Sequence, residues 1–200
     1  MKKLILFFSV LISVSCYCQN DREYESFIQL LKSNTIPDKN DLTVYRLLDD
    51  FYEQVLQADN GELSEDIPLR IEQLFSDENT KNLHIFNMFM AYQQHISHTA
   101  GLGVNPDSKF QVRLMTDLEN EIKAIYGKVP VIIKIYKAEA FNSNRQYEEY
   151  SILLAQSLSE FPDSIPLKVY SYLDTNDERI KADLLKNHSN HWMVKDYLIK

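Results

Sequence analysis

Cysteine is nearly absent from this chain. Its 200 residues hold two, Cys16 and Cys18. A chain cut behind them has no disulfide, no thiolate nucleophile and no cysteine metal ligand, so its stability must come from packing. Glycine and proline are also scarce, at four and six. With no sustained apolar–polar alternation, that argues for helices joined by short turns. No basic run offsets a formal net charge of −8. An acidic surface repels phosphate backbones and anionic lipid, which argues against nucleic-acid binding and charge-driven membrane attachment. No apolar run reaches the roughly 20 residues of a membrane-spanning helix. The G-x-S-x-G elbow is missing, as is an S-x-x-K helix start with a supporting motif. Paired carboxylates such as Asp49-Asp50 and Glu148-Glu149 are adjacent, so they point to different sides of a helix and read as solvated faces.

What the first eighteen residues do contain has the order of a secretory signal peptide: Lys2 and Lys3, then the apolar stretch Leu4 to Ser15, then small side chains. Cys16 and Cys18 occupy the positions three and one before a cut, which makes Gln19 the expected mature N-terminus. The layout resembles signals of Bacteroidota. A competing cut precedes Cys16 and leaves a lipidated thiol, although Ser13 stands where a lipobox has an aliphatic residue. The expected protein is therefore exported, periplasmic or secreted, with a lipid anchor in the envelope as the alternative. Lys2 and Lys3 leave with the signal, so the charge of −8 becomes −10. About 182 residues then remain for one all-helical domain with a sizeable core.

Apolar spacing predicts helices over 22–34, 41–58, 67–76, 79–98, 107–127, 131–142, 146–161, 166–174, 177–187 and 191–199. Leu42, Tyr45, Leu48 or Asp49, Tyr52 and Val55 or Leu56 form one stripe. Phe110, Leu114, Leu118, Ile122 and Ile125 form another. Both are core faces. An apolar–proline pair recurs at Ile36-Pro37, Ile67-Pro68, Val129-Pro130 and Ile165-Pro166, where proline suits the first turn of a helix. Glu65-Asp66 and Asp163-Ser164 supply candidate N-caps before two of them. Pro37 and Pro68 lie 31 residues apart, the length of one helix–turn–helix unit. Residues 22–128 read as helical hairpins.

From 130 to 198 the chain resembles tetratricopeptide repeats. Tyr147, Glu148, Glu149, Leu154, Ser157, Leu158 and Pro162 fill the places of a second repeat helix, and Ala138 and Phe141 those of a first. Ile180 to Trp192 repeats the cadence, with Ser189 where the family has proline. Tyr150, Lys134 and Lys137 depart from the pattern. The resemblance implies antiparallel helix pairs stacked as an α–α superhelix, a fold that works by presenting a binding surface. An irregular helical bundle is the alternative.

Four of the five histidines form two H-x-x-H pairs, His95/His98 and His188/His191. Residues i and i+3 share a helix face and could clamp a metal ion. No Glu adjoins His95, no third ligand is evident, and His188 and His191 straddle an expected turn. No metal and no cofactor are therefore expected, with His95 and His98 the pair to examine. The loop Thr99 to Asp107 carries Gly101 and Gly103, but Asp107 stands where a bound anion would sit. Tyrosine is abundant, with twelve in the chain. Tyr136, Tyr147, Tyr170 and Tyr172 are the candidate groove, since tyrosine combines contact area with a polar tip.

The expected function is an envelope interaction module, without catalytic residues, that binds a protein or peptide whose charge could be cationic. An acidic inhibitor or immunity-type protein and a metal-dependent hydrolase are the alternatives.

Overall fold

A computed structural model describes residues 21–33 and 35–199. The expected cleavage at Cys18–Gln19 and the alternative lipidation of Cys16 lie outside the described residues. Those residues form an all-α protein of ten α-helices, with no strand among them. In chain order the helices are α1 (Asp21–Lys32), α2 (Thr43–Phe51), α3 (Asp66–Ser76), α4 (Leu83–Gly101), α5 (Ser108–Tyr126), α6 (Val131–Ser143), α7 (Tyr147–Glu160), α8 (Ile165–Thr175), α9 (Glu178–Asn187) and α10 (Trp192–Leu198). A π-helical segment, Tyr52–Gln57, continues α2. Among the described residues no helix is long and apolar enough to cross a membrane.

The helices gather into two compact units. One comprises Met1–Val44 and Pro68–Lys128, the other Tyr45–Ile67 and Val129–Lys200.

In the first unit, α4 packs on α1 and α5. The α5 stripe is buried at Phe110, Leu114, Leu118 and Ile122, and Ile125 is half-buried. Phe110 meets Tyr24 edge-on at 6.1 Å and Phe27 at 6.2 Å. Helix α4 starts at Leu83, four residues later than the spacing predicts. Asp77 accepts from the backbone N–H of Asn79 at 2.8 Å, a local turn that competes with helix. Asn82 then takes a left-handed φ of 57° before α4. At its far end α4 runs on through Thr99 to Gly101, which shortens the expected loop. Thr99 Oγ1 donates to the carbonyls of His95 and Ile96, keeping its hydroxyl inside the last turns.

Asn82 also organises the loop before α2. Its side chain accepts from Asp38 N–H at 2.8 Å and lies within donating distance of the Asp38 and Asp41 carbonyls and the Tyr126 hydroxyl. Pro37 sits in this loop rather than in a first helical turn, six residues before α2 begins. Pro130 is the residue capping α6, and Pro166 lies in the first turn of α8, where Ser164 accepts from Leu167 N–H at 3.3 Å.

In the second unit, α6 packs on α7, α7 on α8, α8 on α9, and α10 on both α8 and α9. Short turns reverse the chain between neighbours. The α6–α7 turn closes at Arg145 with φ 61°, and the α8–α9 turn at Asn176 with φ 55°. Asp177 then caps α9 by accepting from Arg179 N–H at 2.9 Å. Ala138, Leu154 and Ser157 are buried in this unit. Lys134 and Lys137 are half-buried, and Lys137 lays its ammonium 5.5 Å from the Phe141 ring. Ile165, Val169, Leu184, Met193 and Val194 form a buried cluster under α8 to α10. The π-helical segment packs on α6 and α8. Gln57 in it accepts from Ile165 N–H at 3.0 Å and donates to the Asp163 carbonyl at 3.1 Å, so this side chain holds the start of α8.

Candidate binding face

The helix spacing of the tyrosines decides which can act together. Tyr170 and Tyr172 are two apart on α8, a rotation of roughly 200°, so they occupy opposite sides. Tyr172 lies under the Lys181 ammonium of α9 at 5.5 Å. Tyr170 turns the other way and donates its hydroxyl to Glu139 of α6. Tyr136 is one helical turn before Glu139 and shares its side of α6. Tyr147, at the start of α7, is 60 % exposed. Of the four candidate groove tyrosines, Tyr170 and Tyr136 thus lie on the Glu139 side, Tyr172 faces α9, and Tyr147 stands in solvent.

The group that forms around Tyr170 contains residues that the sequence did not single out. Burial raises the Glu139 carboxyl above the usual carboxylate range, and the Tyr170 hydroxyl bond partly offsets this. Burial also pushes the Tyr170 phenol strongly upward, with Glu139, Tyr197 and Tyr150 adding to it. Tyr150 is buried in α7, and its phenol is pushed up to about 12 by burial first, then by the Asp174 and Glu139 carboxylates. Asp174 accepts from the Ser151 hydroxyl at 3.0 Å. The Tyr170–Glu139 hydrogen bond between α8 and α6 is the contact that ties this group together. A lone Glu between small residues of α6 carries no sequence signal for this, because its neighbours come from three other helices.

A shallow cleft of about 380 Å³ lies between the end of α7, α8 and α9, with Leu158, Pro162 and Ile180 as its apolar lining. Its charges are matched internally: Lys168 pairs with Asp183 at 2.7 Å, and Arg179 with Asp177 at 2.7 Å. The cleft offers shape but little residual charge.

One histidine of each pair, His95 and His191, is tied into the fold by hydrogen bonds to the backbone. His95 is buried against Phe110 at 4.8 Å, and its Nε2 accepts from Asp107 N–H at 2.9 Å. That use of the Nε2 lone pair competes with a metal ion. Burial lowers the His95 pKa, with Asp107 opposing and His98 assisting. His98 is half-buried on α4. His188 ends α9, whereas His191 caps α10 by accepting from Met193 N–H at 3.2 Å, so the two lie on different elements. Among the described residues no group of three or more His, Cys, Asp or Glu could hold a metal ion. Asp107 accepts from Lys109 and Phe110 N–H and so fills the anion position of its own helix.

The fifth histidine, which no motif marked, has the more elaborate surroundings. His84 Nδ1 is 2.6 Å from Thr35 Oγ1, and its Nε2 is 3.5 Å from Glu121. Lys32 binds Glu121 in turn. Hydroxyl, imidazole and carboxylate follow the order of a general-base relay. The second step is too long for a hydrogen bond, and Lys32 holds the carboxylate. Burial lowers the His84 pKa most, with Glu121 opposing it. The arrangement fastens the loop after α1 to α4 and α5.

Compared with family models, with curated proteins and with solved structures, the chain gives no significant match.

Proposed function

We propose that this is an exported interaction module of the bacterial envelope, binding a protein or peptide through the helical-repeat-like face of residues 130–198. The observation that carries the reading is the Glu139–Tyr170 bond between α6 and α8. These are the alternate helices of two successive hairpins, the arrangement by which stacked repeats build a continuous recognition surface. Tyrosines on that side supply contact area with polar tips. The test is crosslinking in the native envelope followed by mass spectrometry, with the wild type beside Tyr136→Ala and Tyr170→Ala. The reading expects partners lost in the variants while helicity is kept. A partner set identical in all three chains would defeat it.

A further inference from the structure

The chain has one Asn-Gly pair, Asn60-Gly61. It lies in the loop that leaves the π-helical segment at Ala58, inside the second unit. An asparagine carries an electrophilic carbon, Cγ, within reach of the next residue's backbone nitrogen. Closing that five-membered ring is intramolecular, so no second reactant has to be brought up. A side chain crowding the nitrogen, or an acceptor holding its N–H, opposes the closure. Gly61 has no side chain. Among the described residues nothing accepts from its N–H. Asn60 is exposed, so water and hydroxide reach it. Its amide nitrogen is 3.4 Å from Glu62 Oε2, longer than a good hydrogen bond, so the side chain is weakly held.

The same loop is fastened to the start of α10. Trp192 N–H donates to the Asp59 carbonyl and its indole N–H to Val55 O, each at 3.1 Å. Gly61 lies so close to the indole that a Cβ would stand 3.0 Å from its nitrogen. Residues 59–61 therefore have little room for an altered main chain.

We propose that Asn60 is a self-modification site whose isoaspartyl product unfastens α10 from this loop. The site does not depend on what the module binds. Hydroxide takes the Gly61 N–H proton, and the nitrogen bonds to Asn60 Cγ. The Cγ–Nδ2 bond breaks, and ammonia leaves with a proton from water, which regenerates the hydroxide. Water then opens the cyclic imide, and nothing is oxidised or reduced. Opening at the side-chain carbonyl leaves aspartate at position 60 in an ordinary main chain. Opening at the main-chain carbonyl routes the chain through Cβ and lengthens it by one carbon, about 1.5 Å. Both products put a carboxylate between Asp59 and Glu62. Only the second moves residues 59–61 against Trp192.

The folded protein is held in warm buffer at pH 8, and its peptides are followed by mass spectrometry, with isoaspartate detected by enzymatic methylation. Conversion of amide to carboxylate is expected at Asn60 at least tenfold faster than at any other asparagine, with a rate that rises with pH. Asn60→Gln, whose ring would have six members, should slow conversion at that position at least tenfold. Trp192 is the only tryptophan, so its emission reports on the fastening. The isoaspartyl fraction should emit at longer wavelength and unfold at lower urea. Freshly prepared Asn60→Asp has the charge without the extra carbon, and should match the unaged wild type in both. Conversion that needs prior unfolding in urea overturns the site. An isoaspartyl fraction with unchanged emission and midpoint overturns the unfastening, as does an Asn60→Asp chain that loses as much as the aged protein.

Discussion

His191 Nε2 donates to the carbonyl oxygen of Leu56 at 2.9 Å, while the other nitrogen of the same ring accepts from Met193 N–H. One buried imidazole therefore serves two helix ends: the last turn of the π-helical segment and the first turn of α10. The segment gives way to extended backbone at Ala58, with ψ 152°, and its final carbonyls lose their helical donors there. Trp192 completes the arrangement. Its indole N–H donates to Val55 O and its backbone N–H to Asp59 O, each at 3.1 Å.

Removing this ring should be costly. His191→Ala deletes a cap and leaves the Leu56 carbonyl buried without a donor, a loss of about 2–4 kcal/mol. Trp192→Phe keeps most of the ring packing and orphans only Val55 O, about 1–2 kcal/mol. Gly61→Ala should also destabilise, because φ is +66° and a Cβ would stand 3.0 Å from the indole nitrogen. Urea unfolding of the three variants measures this. A His191→Ala chain as stable as the wild type would show that the contact contributes nothing.

The same ring predicts the acid behaviour. His191 must be neutral to accept at Nδ1, and burial lowers its pKa, as it does for His84 and His95. A depressed folded pKa means that the unfolded chain binds protons first. The stability linked to these three groups is full above their unfolded pKa, about 6.5, and is lost as pH falls through that value toward the folded ones. The urea midpoint should be flat from pH 8 to 7 and then decline. Glu139 acts oppositely, since its folded pKa is raised. Glu139→Gln should therefore steepen the acid decline. A midpoint that holds level or rises between pH 6.5 and 5 contradicts the assignment.

Asn82 carries a comparable load in the first unit. It holds the loop at Asp38 and Asp41 while its own backbone is left-handed. Asn82→Ala removes these bonds and puts a Cβ residue without local hydrogen bonding into the left-handed region. The expected loss is about 3 kcal/mol. Asn82→Gly relieves only the backbone part and should fall between alanine and wild type. If glycine proves worse than alanine, the left-handed backbone is not a source of strain.

The helices were legible because each apolar stripe keeps one period, as from Phe110 to Ile122, and because caps such as Ser164 and turn residues such as Asn176 punctuate them. The boundary at Asn79–Asn82 was not, since the choice between helix and turn there rests on bonds from Asp77 and on a loop 40 residues upstream. The π-helical segment was hidden for a similar reason: its odd carbonyls are satisfied by His191 and Trp192, more than 130 positions away. Spacing drew attention to the H-x-x-H pairs, but the histidine with the most elaborate polar surroundings is the isolated His84. Side-chain groups assembled from several helices leave no local pattern, and Glu139 is the clearest case.

Glu139 and Tyr170 can be separated by stability alone. At pH 8 the carboxylate is half-buried, with a phenol donor in place of a cation. Glu139→Gln removes a half-buried charge that burial penalises and keeps the acceptor, so it should stabilise the chain by on the order of 1 kcal/mol. Because the raised pKa favours the protonated form of the folded chain, this gain should grow as pH rises from about 4.5 through the folded value and then level off. Tyr170→Phe has the opposite effect. It leaves the carboxylate with no donor, at a cost of about 1–3 kcal/mol at pH 8 that shrinks once Glu139 is protonated. In the double variant the two effects should not add, because an uncharged glutamine loses less when the phenol is gone. Additive changes in the urea midpoints would mean that the two side chains stabilise the hairpins independently.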